Sequence, residues 1–152
     1  MARVSVIDDS PEFLSLMKDL LAGLGHQMTA FETIEASIES IVASDPQLLI
    51  VDLRLPDGPE RISGWELVVL ARSHRQLIST PVILCTADLF ALKKRARDLE
   101  QVQGVRVRTK PFGVDEMSEL IQRLLAERQP APPRELATGA HSAAWLVARQ
   151  RT

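Results

Sequence analysis

Cysteine is nearly missing from these 152 residues: Cys85 stands alone. No internal disulfide can form, and a reducing compartment is the default expectation. Long apolar runs are missing too, since none approaches the roughly 18–20 residues a bilayer crossing needs. Asp8 arrives too early to leave room for the apolar segment of a signal peptide. Nor does one sign of charge dominate. The 18 Lys and Arg side chains face 20 Asp and Glu, a net charge of −2, which argues against a generic nucleic-acid binder with its basic face. What remains is the make-up of an ordinary globular protein, 45% apolar and 25% charged. That excludes collagen-like, disordered and disulfide-scaffold classes. The length suits one domain of about 100–150 residues with little left over. The expectation is a cytoplasmic protein with no membrane segment and no direct nucleic-acid contact.

Residues 1–128 alternate between two periodicities. Short β-rich runs occur at Val4–Ile7, Met28–Phe31, Leu48–Val51, Pro81–Cys85 and Val105–Val107. Between them apolar residues recur every three or four positions. These stripes are Phe13, Leu16, Leu20 and Leu24; Ile34, Ile38 and Ile41; Leu67, Leu70 and Ala71; Leu89, Leu92, Ala96 and Leu99; and Val114, Met117, Leu120, Ile121 and Leu124. Ser10 before Pro11 reads as an N-cap ahead of a proline at the first helical position, Thr33 precedes the second helix, and Gly23 and Gly25 sit where the first should stop. Five strands alternating with five helices predict a doubly wound, flavodoxin-like α/β fold, with a parallel sheet and helices on both faces. Leu48–Val51 and Val82–Cys85 lack polar alternation, as central strands buried on both faces should.

After Glu127 the character changes. Residues 129–134 form a proline-rich linker, and residues 135–152 read as a tail, either one short helix or disordered. The residues after Pro133 are too few for a helix-turn-helix domain.

The informative polar residues fall at strand ends. Asp8 and Asp9 end the first strand, Asp52 the third and Thr86 the fourth, and Lys110 follows the fifth. Ligands of open parallel sheets bind beyond the carboxyl ends of the strands, at the crevice where strand order reverses. With strand order 2-1-3-4-5, three carboxylates converge there. Like charges so close raise one another's pKa, and a hard divalent cation such as Mg²⁺ would relieve them. Lys110 supplies a cation for an anionic group and Thr86 a hydroxyl donor. An aspartate nucleophile with such neighbours suits phosphoryl transfer onto a carboxylate.

Asp8-Asp9, Asp52 within Val51-Asp52-Leu53-Arg54-Leu55-Pro56, Thr86-Ala87 and Lys110-Pro111-Phe112 together resemble the signature of the response-regulator receiver domain of two-component signalling. The resemblance spans about residues 2–127. It implies that Asp52 is the phosphoacceptor, served by the phosphohistidine of a sensor histidine kinase or phosphotransfer protein. It implies Mg²⁺ on Asp9, Asp52 and the backbone carbonyl of Arg54, with Asp8 acting through water, and Thr86 and Lys110 on the phosphoryl oxygens. It further implies a cis Lys110-Pro111 bond. The output would be a downstream protein contacting the face of the fourth helix, fifth strand and fifth helix, and a homodimer stays open. Such a module is no enzyme, although it assists its own phosphorylation and dephosphorylation.

Three departures stand out. Val107 replaces the family's usual aromatic residue, so the coupled motion of threonine and ring does not carry over. The segment Pro56–Gly64 is about four residues longer than usual and adds Glu60 and Arg61. Arg54 and Asp88 occupy positions two after Asp52 and Thr86 that influence acyl-phosphate hydrolysis in the family, and a pair between them would hinder the attacking water. Other readings stay open. They are a phosphorylation-independent interaction domain, a haloacid-dehalogenase-type phosphatase (which wants a second acid where Arg54 stands) and a flavodoxin-like flavin binder, whose phosphate Asp8 and Asp9 would repel. Cys85 is expected in the core, Trp65 at the start of the third helix, and Lys93, Lys94, Arg95 and Arg97 on a solvated face. His26, His74 and His141 show no ligand spacing and are expected to be solvated.

Overall fold

The computed structural model describes residues 1–32, 37–54 and 63–127. Its strands β1 (Arg3–Ile7), β2 (Gln27–Phe31), β3 (Leu48–Asp52), β4 (Val82–Thr86) and β5 (Val105–Thr109) form one parallel sheet in the order β2-β1-β3-β4-β5. Helices α1 (Pro11–Gly23), α2 (Ile38–Ala43), α3 (Gly64–Ser73), α4 (Leu89–Lys94), α5 (Ala96–Gln101) and α6 (Val114–Glu127) cover it. The doubly wound fold expected from the alternating pattern is the one observed.

Alternation along the central strands divides the core. Val4, Val6, Leu48, Ile50, Ile83 and Cys85 face α1 and α6, where Met17, Leu21, Met117 and Ile121 close the layer. Ile7, Leu49, Val51, Val82 and Leu84 face the other way, onto Ile41 of α2 and Leu67, Val68 and Ala71 of α3. All five residues of β3 and of β4 are buried. Each fully buried Leu, Ile, Val or Met contributes about 1.5–3 kcal/mol, so these two strands anchor the frame on which the loops beyond them sit. Burial pushes the Cys85 thiol up to about 12, and the side chain is inert core as expected.

Local signals behave largely as read. The Phe13 N–H donates to the Ser10 hydroxyl at 3.2 Å, with Pro11 opening α1. The helix stops at Gly23, and Gly25 adopts φ +81°, a conformation only glycine reaches without strain. The Lys110-Pro111 peptide is cis. Thr33 and Ile34 lie outside the described residues. Within them α2 starts behind Ser37, whose hydroxyl accepts the Ser40 N–H at 3.1 Å.

Two expectations are corrected. The stripe Leu89, Leu92, Ala96 and Leu99 predicts one helix, but the backbone breaks at Arg95 (φ −99°, ψ 3°), dividing it into α4 and α5. The Arg95 guanidinium lies 5.4 Å from the Trp65 ring centre and pairs with Asp98 at 3.2 Å. His26 is not free in solvent. It is half-buried, its Nδ1 accepts the Ala2 N–H at 3.1 Å, and its Nε2 lies 2.8 Å from Gln122 Oε1. It thereby ties the start of β1 to α6. His74 is half-buried and its Nδ1 accepts the Gln76 N–H at 3.1 Å, while His141 lies outside the described residues. The basic run of α4 and α5 is exposed as expected, with Lys94 over the Phe90 ring. Among the described residues no helix is long and apolar enough to cross a membrane.

Candidate functional site

Sheet register brings the expected residues to one end of the molecule. Ile7 is level with Val51, Asp52 with Cys85, and Thr86 with Thr109. Asp8 and Asp52 therefore leave neighbouring strands, and Lys110 follows β5 at the same end of the sheet, one strand further on beyond β4. One carboxylate oxygen from each of Asp8, Asp9 and Asp52 lies within 4.8 Å of the others, with Asp8 and Asp52 buried and Asp9 exposed. Lys110 Nζ reaches Asp8 Oδ2 at 2.7 Å and Asp52 Oδ2 at 3.4 Å. Three carboxylates against one ammonium leave an excess of negative charge. The donors are hard oxygens, one group is solvent-facing, and the set suits a hard divalent cation that keeps some of its water.

Local hydrogen bonds fix the acids. The Ser10 N–H donates to Asp8 Oδ1 at 2.9 Å, and the Arg54 N–H donates to Asp52 Oδ1 at 3.0 Å. Burial pushes the Asp52 carboxyl above its ordinary value. The Lys110 charge opposes that push, the Asp8 charge adds to it, and the net direction stays upward. Lys110 feels burial against its charge, but the hydrogen bond from its ammonium to Asp8 and the charge of Asp52 outweigh it, holding the ammonium above its usual value.

Beside the acids opens a cleft of about 540 Å³ lined by Asp52, Arg54, Thr86, Ala87, Asp88, Leu89 and Lys110. Thr86 is fully buried, and its hydroxyl oxygen accepts the Asp88 N–H at 3.0 Å. Asp88 also caps α4 through the Ala91 N–H at 3.0 Å. That backbone bond and the Arg54 guanidinium hold its carboxyl below the ordinary value. Arg54 Nη1 meets Asp88 Oδ2 at 2.8 Å across the cleft mouth, the pair expected from their positions. Glu60 and Arg61 lie outside the described residues. Sequence reasoning missed two neighbours. Leu89 lines the cleft although it is exposed, and Phe13 places its ring centre 4.0 Å from Lys110 Nζ. Phe13 had only the signature of a core residue at the head of a helical stripe.

Comparison with known proteins agrees with this geometry. Residues 4–122 match the pattern of the response regulator receiver domain. The transcriptional regulatory protein TcrA of Mycobacterium tuberculosis is 30% identical over 130 residues, 86% of this chain and 48% of TcrA. The chain spans about half the length of that curated relative. The Dictyostelium discoideum hybrid signal transduction histidine kinase D is 36% identical over 84 residues, 55% of this chain and 5% of the kinase. Among solved structures, the chemotaxis protein CheY4 of Vibrio cholerae superposes with a TM-score of 0.68 at 23% identity, covering 82% of this chain and 98% of its own. The receiver domain of sensor histidine kinase PA1611 from Pseudomonas aeruginosa, solved with magnesium in its active-site cleft, gives 0.66 at 20% identity, covering 83% and 98%. The chain belongs to the response regulator receiver domain family. It is a signalling domain of the two-component type.

Proposed function

We propose that residues 1–128 act as a phosphoacceptor switch in the cytoplasm, with residues 129–134 as linker and 135–152 as tail. Asp52 accepts a phosphoryl group from the phosphohistidine of a sensor histidine kinase or phosphotransfer protein. The observation that carries this reading is the group of three carboxylates within 4.8 Å of one another, flanked by the Lys110 ammonium. A lone turn aspartate would need neither.

In the transfer, an Asp52 carboxylate oxygen forms the new O–P bond while the donor's N–P bond breaks, the imidazole nitrogen keeping the electron pair. Asp8, Asp9, Asp52 and the backbone carbonyl of Arg54 would hold Mg²⁺. The bound cation would neutralise charge spread over the phosphoryl oxygens. Lys110 gives those oxygens N–H donors from the other side. Thr86 supplies its hydroxyl, whose oxygen already accepts the Asp88 N–H and so keeps its own hydrogen free to donate. The added charge on Asp52 then favours arrangements with Thr86 and Lys110 drawn inward, biasing an equilibrium between inactive and active forms. Output passes to a downstream protein over α4–α5, β5 and α6. Val107, half-buried against the core, has no ring with which to report the change.

Intact-mass measurement after incubation with a small phosphodonor tests the reading. One phosphoryl adduct, present with Mg²⁺ and absent with a chelator, is expected; no adduct under either condition overturns it. The phosphorylation-independent alternative predicts that second outcome.

The Arg54–Asp88 pair sets a further expectation. Both side chains line the cleft mouth, where water must enter to hydrolyse an acyl phosphate. An exposed ion pair is screened by solvent and holds its partners only weakly. Reversing charge at either end, Arg54→Glu or Asp88→Lys, is therefore expected to shorten the phosphoryl lifetime by roughly two- to five-fold. Adduct loss followed by mass spectrometry checks this, and an unchanged lifetime in both variants removes the latch.

A further inference from the structure

Lys110 has an aromatic neighbour, Phe13, that takes no part in holding the cation or the phosphoryl group. Its Nζ lies 2.7 Å from Asp8 Oδ2, 3.4 Å from Asp52 Oδ2 and 4.0 Å from the centre of the Phe13 ring. An ammonium has three hydrogens to satisfy. Two neighbours are carboxylates, and the third is a π face whose quadrupole attracts cations, most strongly where water is excluded. Water is largely excluded here, since the Lys110 side chain is 20% exposed and Phe13 is 8% exposed.

The ring is itself held in place. Its backbone N–H donates to the α1 N-cap, Ser10 Oγ, at 3.2 Å. Its plane meets that of Phe112 at 86° with centroids 5.9 Å apart, an edge-to-face contact. Met17 and Leu20 extend the same core layer behind it. Phe112 lies two residues beyond Lys110, so the segment after β5 that delivers the ammonium also delivers a clamp for the ring. The Ser10 N–H that donates to Asp8 Oδ1 belongs to the same short turn. Asp8 and the ring are therefore set by one piece of backbone.

We propose that Phe13 is a positioning residue for phosphoryl uptake, which holds the Lys110 ammonium between Asp8 and Asp52 by closing its remaining side with a π face. An aliphatic residue would fill the space but offer no attraction, and the flexible lysine would spend part of its time turned toward solvent. This proposal rests on the phosphoacceptor reading above. It assigns the ring no contact with the phosphoryl group, only with the ammonium.

Three variants of the full chain separate positioning from packing. Phe13→Tyr keeps the face, Phe13→Leu keeps an apolar side chain without it, and 3,4,5-trifluorophenylalanine at position 13 keeps the shape while draining the face of electron density. Two readouts are taken on each. One is the rate of uptake from a small phosphodonor at saturating Mg²⁺. The other is the low-temperature ¹⁵N–¹H cross-peak of the Lys110 ammonium, visible only while its protons exchange slowly with water. Tyrosine is expected to leave both near wild type. Leucine and the fluorinated ring are expected to slow uptake by roughly three- to thirty-fold and to broaden the cross-peak away. A packing role would instead spare the fluorinated protein. Wild-type uptake in the fluorinated protein overturns the proposal, as does slowed uptake with the cross-peak intact. If the wild-type protein takes up no phosphoryl group, the phosphoacceptor reading fails. The cross-peak arm then still decides whether the ring holds the ammonium.

Discussion

Asp52→Asn is expected to melt higher than the wild-type protein when no divalent cation is present, and lower when Mg²⁺ is abundant. Burial and the Asp8 charge push the Asp52 carboxyl upward against the opposing pull of Lys110. The folded chain therefore favours the protonated form more than the unfolded chain does. That contribution is fully present below the ordinary carboxylate range and is lost as pH rises through the raised value, so the ionised side chain costs stability at neutral pH. Asparagine removes the charge and keeps an oxygen to accept the Arg54 N–H, a bond of 3.0 Å in the wild type. A rise of a few degrees is expected at pH 7. The gap should close as the pH is lowered toward 4. Mg²⁺ at about 100 times its dissociation constant adds about 2.7 kcal/mol to a protein that binds it only when folded. Asp52→Asn has lost one of the acids and gains much less, so the order of melting temperatures inverts. The variant is also expected to form no phosphoryl adduct. Differential scanning calorimetry with chelator and with Mg²⁺, at pH 4 and pH 7, checks the thermal half. An unchanged order in both media would mean that the three acids do not share a cation.

The residues that set this thermal response differ in how openly the sequence displays them. β3 and β4 were legible because burial on both faces removes polar alternation, leaving Leu48–Val51 and Val82–Cys85 as bare apolar runs. The acids were legible because strand ends announce themselves by a switch from apolar to charged. β5 extends to Thr109, beyond the apolar run Val105–Val107. Arg106 and Arg108 interrupt the apolar pattern of an edge strand, where one side has no neighbouring strand and polar residues are tolerated. The break at Arg95 was invisible for a different reason. Leu89, Leu92, Ala96 and Leu99 keep their three- and four-residue spacing across it, so a pattern of side chains carries no trace of a change in backbone angles. The roles of His26 and Phe13 leave no local trace, because their partners, Gln122 and Lys110, come from the far end of the chain. No local rule relates a ring in the first helix to a lysine after the last strand. The motif residues at the site could be named from sequence, whereas the neighbours that hold them could only be found in three dimensions.

Gly64→Ala is expected to damage both the fold and the site, through a contact that glycine alone permits. A Cβ built at Gly64 would run into the Asp52 carbonyl oxygen, and it would lie 2.8 Å from both the Asp52 carbonyl carbon and Leu53 Cα. All three obstacles are backbone, so no side-chain rotation relieves the clash. Either α3 retreats from the sheet, opening the layer that Leu67, Val68 and Ala71 close, or the chain after β3 shifts. The second route is resisted by the Leu53 N–H, which donates to the Cys85 carbonyl at 3.0 Å, and by the burial of Leu53. Alanine's better helix propensity offsets at most about 1 kcal/mol, and overpacking of this kind costs about 1–3 kcal/mol or more. The clash wins, and a fall in melting temperature of roughly 2–8 °C is expected. Gly23 supplies the contrast. It closes α1 with nothing within 4 Å of its Cβ position, so Gly23→Ala should leave the melting temperature unchanged or slightly higher. The site consequence follows from the same geometry. Any shift of the Asp52 backbone moves its carboxylate away from Asp8 and Lys110, so Mg²⁺ affinity, read from Trp65 emission, should weaken in Gly64→Ala and stay at the wild-type level in Gly23→Ala. Equal melting temperatures for the two variants would show that the approach of α3 to Asp52 does not constrain the site.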